Sequence, residues 1–191
     1  MRRTAGAWKC AASCFTTEAR AWLSPDVPTL MVARTLILMR HAEASDGPVD
    51  FDRPLTARGQ AQAAALGEAL RQAGLVPDVV LSSSARRARE TAEGVLRAAG
   101  WAMQLRLEEG LYNATAAAMA ALVHAQAARA RCVMLVAHAP GVPDFASMLC
   151  TRHHDLRLQC PPATCIQLEA DVSDWALLEP GQAQLARVLS G

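Results

Sequence analysis

The sequence predicts an α/β fold: a three-layer α/β/α sandwich whose sheet is mainly parallel and carries helices on both faces. Two observations predict it. Short apolar, β-prone runs alternate along the chain with longer segments of helical periodicity. Apolar residues make up 52% of the 191 residues, which is enough for a substantial core. Strands that alternate with helices pair in parallel and are covered on both faces.

The elements follow one another from residue 35 to the C-terminal region. We expect strands at residues 35–39, 78–81, 103–107, 132–136, 164–168 and 175–178, of which the last two form a pair. We expect helices at residues 56–73, 85–99, 115–128, 142–149 and 182–189. Thr56 is a suitable N-cap for the first helix, and Gly74 and Gly100 are typical stops for the first two.

The first 33 residues differ from the rest of the chain. Their amphipathic periodicity is poor, and a Ser-Pro-Asp-Val-Pro run interrupts them at residues 24–28. We therefore expect a poorly ordered N-terminal extension at residues 1–33 and one domain at residues 34–191. A start at Met31 is one explanation of the extension, and a regulatory or targeting tail is another.

Charge and composition exclude several classes of protein. The net charge is +1, so no strong field attracts nucleic acid or an anionic membrane. No apolar stretch is long enough to span a bilayer, and no apolar core follows the basic N-terminal residues as in a secretory signal. The six cysteines lack zinc-finger spacing. We expect reduced thiols in a cytoplasmic protein.

Two predicted strands end at a histidine. Strand 35–39 is followed by Arg40 and His41, and strand 132–136 leads to His138. In open α/β sheets, ligands bind outside the carboxyl ends of the strands. A single histidine would be weak evidence, since histidines are often structural. Two of them, with arginines nearby, indicate a site for phosphoryl chemistry.

More arginines lie where strands give way to helices. Arg53 comes just before the first predicted helix. Three arginines open the second helix: Arg86, Arg87 and Arg89. Because these positions all follow strand ends, their side chains can converge with the two histidines on one edge of the sheet.

This pattern resembles the histidine phosphatase superfamily, also called phosphoglycerate mutase-like. Residues 38–43 are similar to its Arg-His-Gly signature, and residues 83–91 to its Ser-Pro-x-x-Arg-Ala-x-Gln-Thr motif. Residues 137–141 are similar to its Gly-His-Asn-Pro-Gly motif, and residues 53–59 to the stretch with another phosphate-binding arginine. The motifs occur in the family's order, and the resemblance implies the family's phosphoglycerate mutase-like fold.

The chain departs from the family pattern at several motif positions: Ala42 for glycine, Ser84 for proline, Glu90 for glutamine, Ala137 for glycine and Ala139 for asparagine. None of these changes removes a phosphate ligand. The loss of the asparagine leaves the contacts next to His138 open.

The resemblance implies a role for each residue of the cluster. His41 is the nucleophile, which forms a covalent phosphohistidine. The phosphoryl group is bound by Arg40, Arg53, Arg87 and His138. Guanidinium forks match the phosphoryl oxygens, over which the transition state spreads its charge. The same positive charge favours a neutral His41 imidazole. No metal ion and no other cofactor is required.

Purely structural interpretations remain open for the same residues. Arg40 and His41 could form an ordinary polar strand end, and His138 could be a structural histidine. Arg53 could simply pair with Asp50 or Asp52. We expect the other basic residues of interest to lie at the surface: Arg86, Arg89, His124, His153 and His154.

Residues 107–112 lie where many relatives carry a glutamate that protonates the leaving oxygen. Alignment on Tyr112 favours Glu109 over Glu108 as this acid, and either could instead be a solvated loop carboxylate. An imidazole that leaves from a labile P–N bond depends less on such an acid than an alkoxide does. A missing acid would therefore favour a phosphoramidate substrate.

The larger mutases of the superfamily insert a lid where residues 112–132 hold one predicted helix. An open site suits hydrolysis, because excluding water is what protects a covalent intermediate. The small size, the Arg-Pro-Leu-Thr loop and the Pro-Gly after His138 are similar to the SixA-type phosphohistidine phosphatases. The resemblance implies a metal-independent phosphatase with a phosphohistidine protein as partner. The alternatives are a general phosphomonoesterase for small phosphate esters and a non-catalytic phosphate-binding protein.

Overall fold

The computed structural model describes residues 33–126, 129–151 and 156–191. In chain order, their strands and helices are β1 (Arg34–Arg40), α1 (Ala57–Gln72), β2 (Val79–Ser83), α2 (Arg86–Ala99), β3 (Leu105–Glu108), α3 (Ala116–His124), β4 (Cys132–Ala137), α4 (Gly141–Cys150), β5 (Thr164–Ala170) and β6 (Ala183–Ser190). Short 3-10 helices lie at Asp50–Asp52, Glu109–Leu111 and Trp175–Leu177. The predicted N-terminal extension lies outside the described residues, apart from Ala33.

The strands form a six-stranded sheet in the order β3-β2-β4-β1-β5-β6. The first four strands in that order run parallel to one another, β5 is antiparallel to β1, and β6 is antiparallel to β5. Helices α1 and α2 pack on one face of the sheet, and α3 and α4 on the other. The predicted fold class, a three-layer α/β/α sandwich with a mainly parallel sheet, is confirmed.

The central strand β1 shows why two layers of helices are needed. Leu36 and Leu38 belong to the core beneath α3 and α4, whereas Ile37 and Met39 belong to the core beneath α1 and α2. All of these side chains are fully buried. Successive side chains of a strand point to opposite faces, so a continuous apolar strand needs cover on both sides.

The ends of the first two helices follow the predicted capping chemistry. The Thr56 side chain accepts a hydrogen bond from the Gly59 N–H, as an N-cap does. Gly74 and Gly100 both have positive φ, and Gly100 is the left-handed C-cap of α2. Because α1 follows β1 and α2 follows β2, the N-termini of both helices lie on the side of the carboxyl edge of the sheet.

Two predictions near the C-terminus are wrong. Residues 175–178, predicted as a strand, contain the 3-10 helix Trp175–Leu177, and the buried Trp175 ring fills the core while its N–H bonds the Ala130 carbonyl. The segment 182–189, predicted as a helix, is a strand from residue 183 onward and belongs to β6, which pairs with β5 at the sheet edge. Alanine and leucine suggested a helix there, but pairing with a free strand edge overrides such a weak propensity.

No helix among the residues that the structure describes is long and apolar enough to cross a membrane. Within the same residues, four cysteines are free thiols: Cys132, Cys150, Cys160 and Cys165. The other two cysteines, at positions 10 and 14, lie outside the described residues. The cytoplasmic location remains a prediction.

Candidate active site

The two histidines at the predicted strand ends lie side by side. Strands β1 and β4 are neighbours, and their register pairs Arg40 with Ala137, the residue before His138. The His41 backbone N–H donates to the Ala137 carbonyl at 3.0 Å. The ring centroids of His41 and His138 are 5.1 Å apart. Parallel pairing of two adjacent strands thus brings both imidazoles to the carboxyl edge of the sheet.

His41 is held in the tautomer that a nucleophile needs. Its Nδ1–H donates to the Ala42 carbonyl at 2.8 Å, which leaves the lone pair on Nε2. This Nε2 accepts a hydrogen bond from Arg87 Nε at 3.2 Å. Burial lowers the pKa of His41 to about 4, and the neighbouring guanidinium groups add to that effect, although the bond to Ala42 opposes it. The imidazole is therefore neutral near pH 7.

Arg87, in the first turn of α2, is 4% exposed and is fixed at several atoms. Its Nη1 donates to the Asp50 backbone carbonyl, and its Nη2 to the Asp50 carboxylate at 3.0 Å. The Thr91 hydroxyl donates to the Arg87 carbonyl at 2.6 Å and accepts from the Ala42 N–H at 3.0 Å. Thr91 therefore joins α2 to the loop after β1 and holds Arg87 next to His41.

The other two predicted arginines lie at the end of β1, in the case of Arg40, and in the loop before α1, in the case of Arg53. Arg40 Nη1 donates to the Cys160 carbonyl at 2.7 Å, while its buried Nε has no hydrogen-bond partner in the described part of the chain. Arg53 donates from Nε to the Ser45 carbonyl at 2.7 Å and from Nη1 to the Asp50 carboxylate at 2.9 Å. The pairing of Arg53 with Asp50, one of its structural interpretations, is thus present. Arg40 keeps a donor that an anion could use.

Asp50 and Tyr112 belong to the site although the sequence did not indicate a role for either. The Asp50 carboxylate accepts hydrogen bonds from Arg53, from Arg87 and, at 2.7 Å, from the Tyr112 hydroxyl. These bonds, of which the one from Tyr112 contributes most to the shift, hold the pKa of Asp50 well below its usual range. Asp50 is thus an ionised carboxylate that bridges two predicted phosphate ligands.

The Tyr112 ring completes one side of the site. It meets the His138 ring edge-on, with centroids 5.6 Å apart, and the exposed Phe51 ring edge-on at 5.3 Å. Tyr112 served only as an alignment marker in the sequence. The one signal for Asp50 was its position three residues before Arg53, which suggested a simple ion pair.

His138 is almost fully buried, with 3% of its surface exposed. Its Nε2 lies 2.9 Å from the Ser83 hydroxyl oxygen, at the end of β2. Burial lowers the pKa of His138 to about 3; a proton on the neighbouring His41 and the positive charge of Arg87 would each disfavour protonation of His138 further. His138 is therefore a neutral imidazole beside His41.

The predicted proton donor Glu109 begins the 3-10 helix Glu109–Leu111, one turn before Tyr112. Its side chain is exposed and makes no hydrogen bond or ion pair with any other residue that the structure describes. Its role as the acid stays a prediction.

The arginines that flank Arg87 lie on the outer side of α2, as predicted. Arg86 pairs with Glu90 at 2.7 Å and Arg89 with Glu93 at 3.8 Å, in partly exposed positions. Glu90, which replaces the family's glutamine, also accepts the Leu55 N–H at 2.8 Å. Its carboxylate therefore supports the loop that carries Arg53.

The other histidines lie apart from this cluster or outside the described residues. His124 is exposed at the C-terminus of α3 and bonds the Leu178 carbonyl through Nε2 at 2.8 Å. The predictions for His153 and His154 fall outside the described residues.

A cleft of about 850 Å³ opens beside His138. Its walls include residues 113–116, the first turn of α4 and residues 156–158. Gly141 allows α4 to approach this closely, because a Cβ there would lie 2.1 Å from the Ala114 carbonyl oxygen. The cleft is much larger than a phosphoryl group, so it has room for part of the molecule that carries one.

Together, the fold and the site define a class of protein: an α/β sandwich in which two neutral histidines and a guanidinium cluster meet at the carboxyl edge of the sheet. The model of the histidine phosphatase superfamily (branch 1) matches residues 36–133, which is just over half of the chain. The chain belongs to the histidine phosphatase superfamily.

Known relatives agree with this assignment. A structure assigned as a phosphohistidine phosphatase SixA from Nakamurella multipartitia is 33% identical, with a TM-score of 0.74, over 83% of this chain and 96% of that one. One assigned as SixA from Agrobacterium tumefaciens is 27% identical, with a TM-score of 0.69, over 83% and 98%. An uncharacterized chloroplastic protein of Arabidopsis thaliana is 43% identical over 67 residues, 34% of this chain. The match spans only 31% of the Arabidopsis protein.

Proposed function

We propose that this protein is a metal-independent phosphatase that removes phosphate from phosphohistidine on proteins through a phosphohistidine intermediate on His41. One observation carries the proposal. The Nε2 lone pair of a neutral His41 faces the guanidinium group of Arg87, while Nδ1–H is bound to the Ala42 carbonyl. That arrangement offers a nucleophile and an anion site at the same point.

The first chemical step transfers the phosphoryl group to the protein. His41 Nε2 attacks phosphorus in line, the new P–N bond forms, and the bond from phosphorus to the leaving group breaks. The leaving group departs with the electron pair of that bond. The guanidinium groups and His138 bind the equatorial oxygens, where negative charge is spread. The bond from Nδ1 to Ala42 then stabilises the positive charge that the imidazole gains.

The second step regenerates the protein. Water attacks phosphorus from the side that the leaving group has vacated, and the P–N bond to His41 breaks. The proton of the water is released to the phosphate product or to solvent, and the imidazole recovers its lone pair on Nε2. We expect water to reach the intermediate from the wide cleft that His138, the neighbour of His41, lines.

The surroundings of the site favour a phosphoramidate over an ester. Asp50, the carboxylate bound to Arg53 and Arg87, is held ionised and is therefore a poor proton donor. Glu109 makes no polar contact within the described part of the chain. An imidazole leaving group is more stable than an alkoxide and needs less help from an acid. The SixA proteins to which the chain is similar support the same substrate class.

Trapping the intermediate tests the chemistry. The protein is mixed with a ³²P-labelled phosphodonor, quenched in alkali and separated on a gel. We expect a labelled band that acid removes and that is missing in His41→Ala. His124→Ala, a change at an exposed histidine of α3, should keep the label. A protein that never becomes labelled, although it binds phosphate, would support the non-catalytic alternative.

A substrate comparison tests the specificity. We expect a histidine-phosphorylated protein to be dephosphorylated with a kcat/KM well above that of every member of a panel of nucleotides, sugar phosphates and phosphoserine peptides. Excess chelator should leave the rate unchanged, because guanidinium groups supply the positive charge. Higher kcat/KM for a small ester would favour the general phosphomonoesterase instead.

A further inference from the structure

We propose that Ser83 is a positioning residue whose hydroxyl fixes the tautomer of His138, so that His138 directs its Nδ1–H at a phosphoryl oxygen. The inference rests on the proposed function, since it assigns a task within the same site. Ser83 touches His138 rather than the reacting atoms, so it acts through the imidazole.

Ser83 is placed for this task by the sheet. It is the last residue of β2, which pairs with β4 next to the strand end that carries His138. The Ser83 side chain is fully buried, and its oxygen lies 2.9 Å from His138 Nε2. The same oxygen accepts the Ala85 N–H at 3.3 Å.

The hydroxyl hydrogen of Ser83 decides the direction of this bond. Among the described residues, His138 Nε2 is the one acceptor within reach of the hydroxyl. If His138 carried its proton on Nε2, the buried hydroxyl hydrogen would have no acceptor, which is unfavourable. Ser83 therefore donates, and Nε2 is the bare nitrogen of the ring.

The other ring nitrogen then becomes the donor. A neutral imidazole carries one proton, and with Nε2 bare that proton is on Nδ1. Nδ1 is buried and has no hydrogen-bond partner in the part of the chain that the structure describes. His138 also lines the cleft. A buried N–H without a partner, next to the nucleophile, is completed by an oxygen of the bound phosphoryl group.

Without the hydroxyl, the two tautomers would lie closer in energy. The tautomer with its proton on Nε2 would turn a lone pair toward the phosphoryl oxygens and repel them. We therefore expect Ser83→Ala to lower kcat/KM roughly tenfold, the size of effect that one hydrogen bond supports. Ser83→Thr, which keeps the hydroxyl, should restore most of the loss.

The direct test is the ¹⁵N spectrum of histidine-labelled full-length protein near pH 7, in which protonated and bare ring nitrogens are well separated. The His138 signals are identified by their loss in His138→Gln. We expect Nδ1 to be protonated and Nε2 bare in the parent protein and in Ser83→Thr, and a mixture of tautomers in Ser83→Ala. Ser82→Ala is the matched control, because the Ser82 hydroxyl donates to the Ser83 carbonyl at 3.0 Å instead.

The spectra and the rates separate the possible failures. A parent spectrum with the proton on Nε2, or an unchanged tautomer in folded Ser83→Ala, overturns the proposal whatever the activity. If Ser83→Ala does not fold, the proposal is judged from the parent spectrum alone, which shows whether Nδ1 or Nε2 of His138 carries the proton. If no phosphatase activity is found but Nδ1 is protonated and its signal shifts when inorganic phosphate is added, the proposed function fails and the assignment to Ser83 stands.

Discussion

At the scale of single residues, the chemistry of the site depends on where two imidazoles keep their protons. His41 and His138 are both neutral in the folded protein because burial disfavours their charged forms. The neighbouring arginines strengthen this effect. In the proposed mechanism, the same positive charge keeps the His41 lone pair available and binds the phosphoryl group.

The depressed pKa values predict a loss of stability between pH 6.5 and 4. The folded-state pKa is about 4 for His41 and about 3 for His138, so the unfolded chain takes up protons first as the pH falls. The free energy of unfolding should fall by at most about 1.4 kcal/mol per pH unit for each histidine. Urea unfolding at pH 7, 6 and 5 measures the slope. The slope should flatten in the double variant His41→Gln/His138→Gln. It should persist in His124→Gln, the control.

A substitution at Asp50 distinguishes a role in positioning Arg53 and Arg87 from a role as the acid that protonates the leaving group. Asp50→Asn places an NH₂ group against the guanidinium of Arg53 or Arg87 in place of a carboxylate oxygen. We expect kcat/KM to fall roughly tenfold, and equally for p-nitrophenyl phosphate and an alkyl phosphate. Asp46→Asn is the control, because that exposed carboxylate lies 3.7 Å from Arg53. A much larger loss for the alkyl phosphate would instead identify Asp50 as the acid.

The sequence predicted the clustering of residues that lie in motifs and gave no role to the residues that join the cluster from other segments. His41, Arg87 and His138 follow strand ends, so topology alone brings them together. Tyr112 reaches Asp50 from 62 positions along the chain. Side-chain contacts between distant loops leave no periodic signal in the sequence, so neither partner could be assigned a role.

At the scale of elements, the strongest predictions were those with both an apolar pattern and a cap. Helix α1 begins within one residue of its predicted start because Thr56 caps it as expected, with its side chain accepting the Gly59 N–H. The C-terminal predictions failed where the pattern was short. The eight residues of β6 lie at the sheet edge and are mostly exposed. They have no buried face, so their apolar residues show no clear helical or strand periodicity.

The close approach of Gly59 to the loop after His41 predicts that a side chain is not tolerated at this position of α1. A Cβ at this position would lie 2.0 Å from the Glu43 carbonyl oxygen, which also accepts the Thr56 N–H. Gly59→Ala should lower the free energy of unfolding by about 1–3 kcal/mol, as overpacking does, and reduce kcat as the loop shifts. Gly110→Ala, with no atom within 4 Å of its added Cβ, is the control. Equal stability of the two variants in urea would contradict this.

At the scale of the whole molecule, the candidate active site lies at one edge of a sheet that helices cover on both faces. Two cores fix the strands from opposite faces, so the carboxyl ends of β1, β2 and β4 are rigid and adjacent. The described residues between Tyr112 and Cys132 contain α3 and add no further helix or strand. No further helix or strand of the described residues therefore covers the cleft beside His138.

The same construction predicts that the domain folds and works without the first 30 residues. Residues Met31–Gly191 form one compact unit, and Arg34 anchors its first strand by donating to the carbonyls of Ala130, Val172 and Ser173. A chain that starts at Met31 should keep its melting temperature within about 2 °C and its kcat/KM within about twofold.

A chain that starts at Leu36 is the contrasting variant, since it lacks Arg34 and should unfold at lower temperature. Thermal unfolding followed by circular dichroism, together with phosphohistidine turnover, measures both quantities for both chains. If the chain from Met31 folds but loses activity, the N-terminal segment contributes to the site. If it fails to fold, the segment belongs to the domain, and the boundary between residues 33 and 34 is wrong.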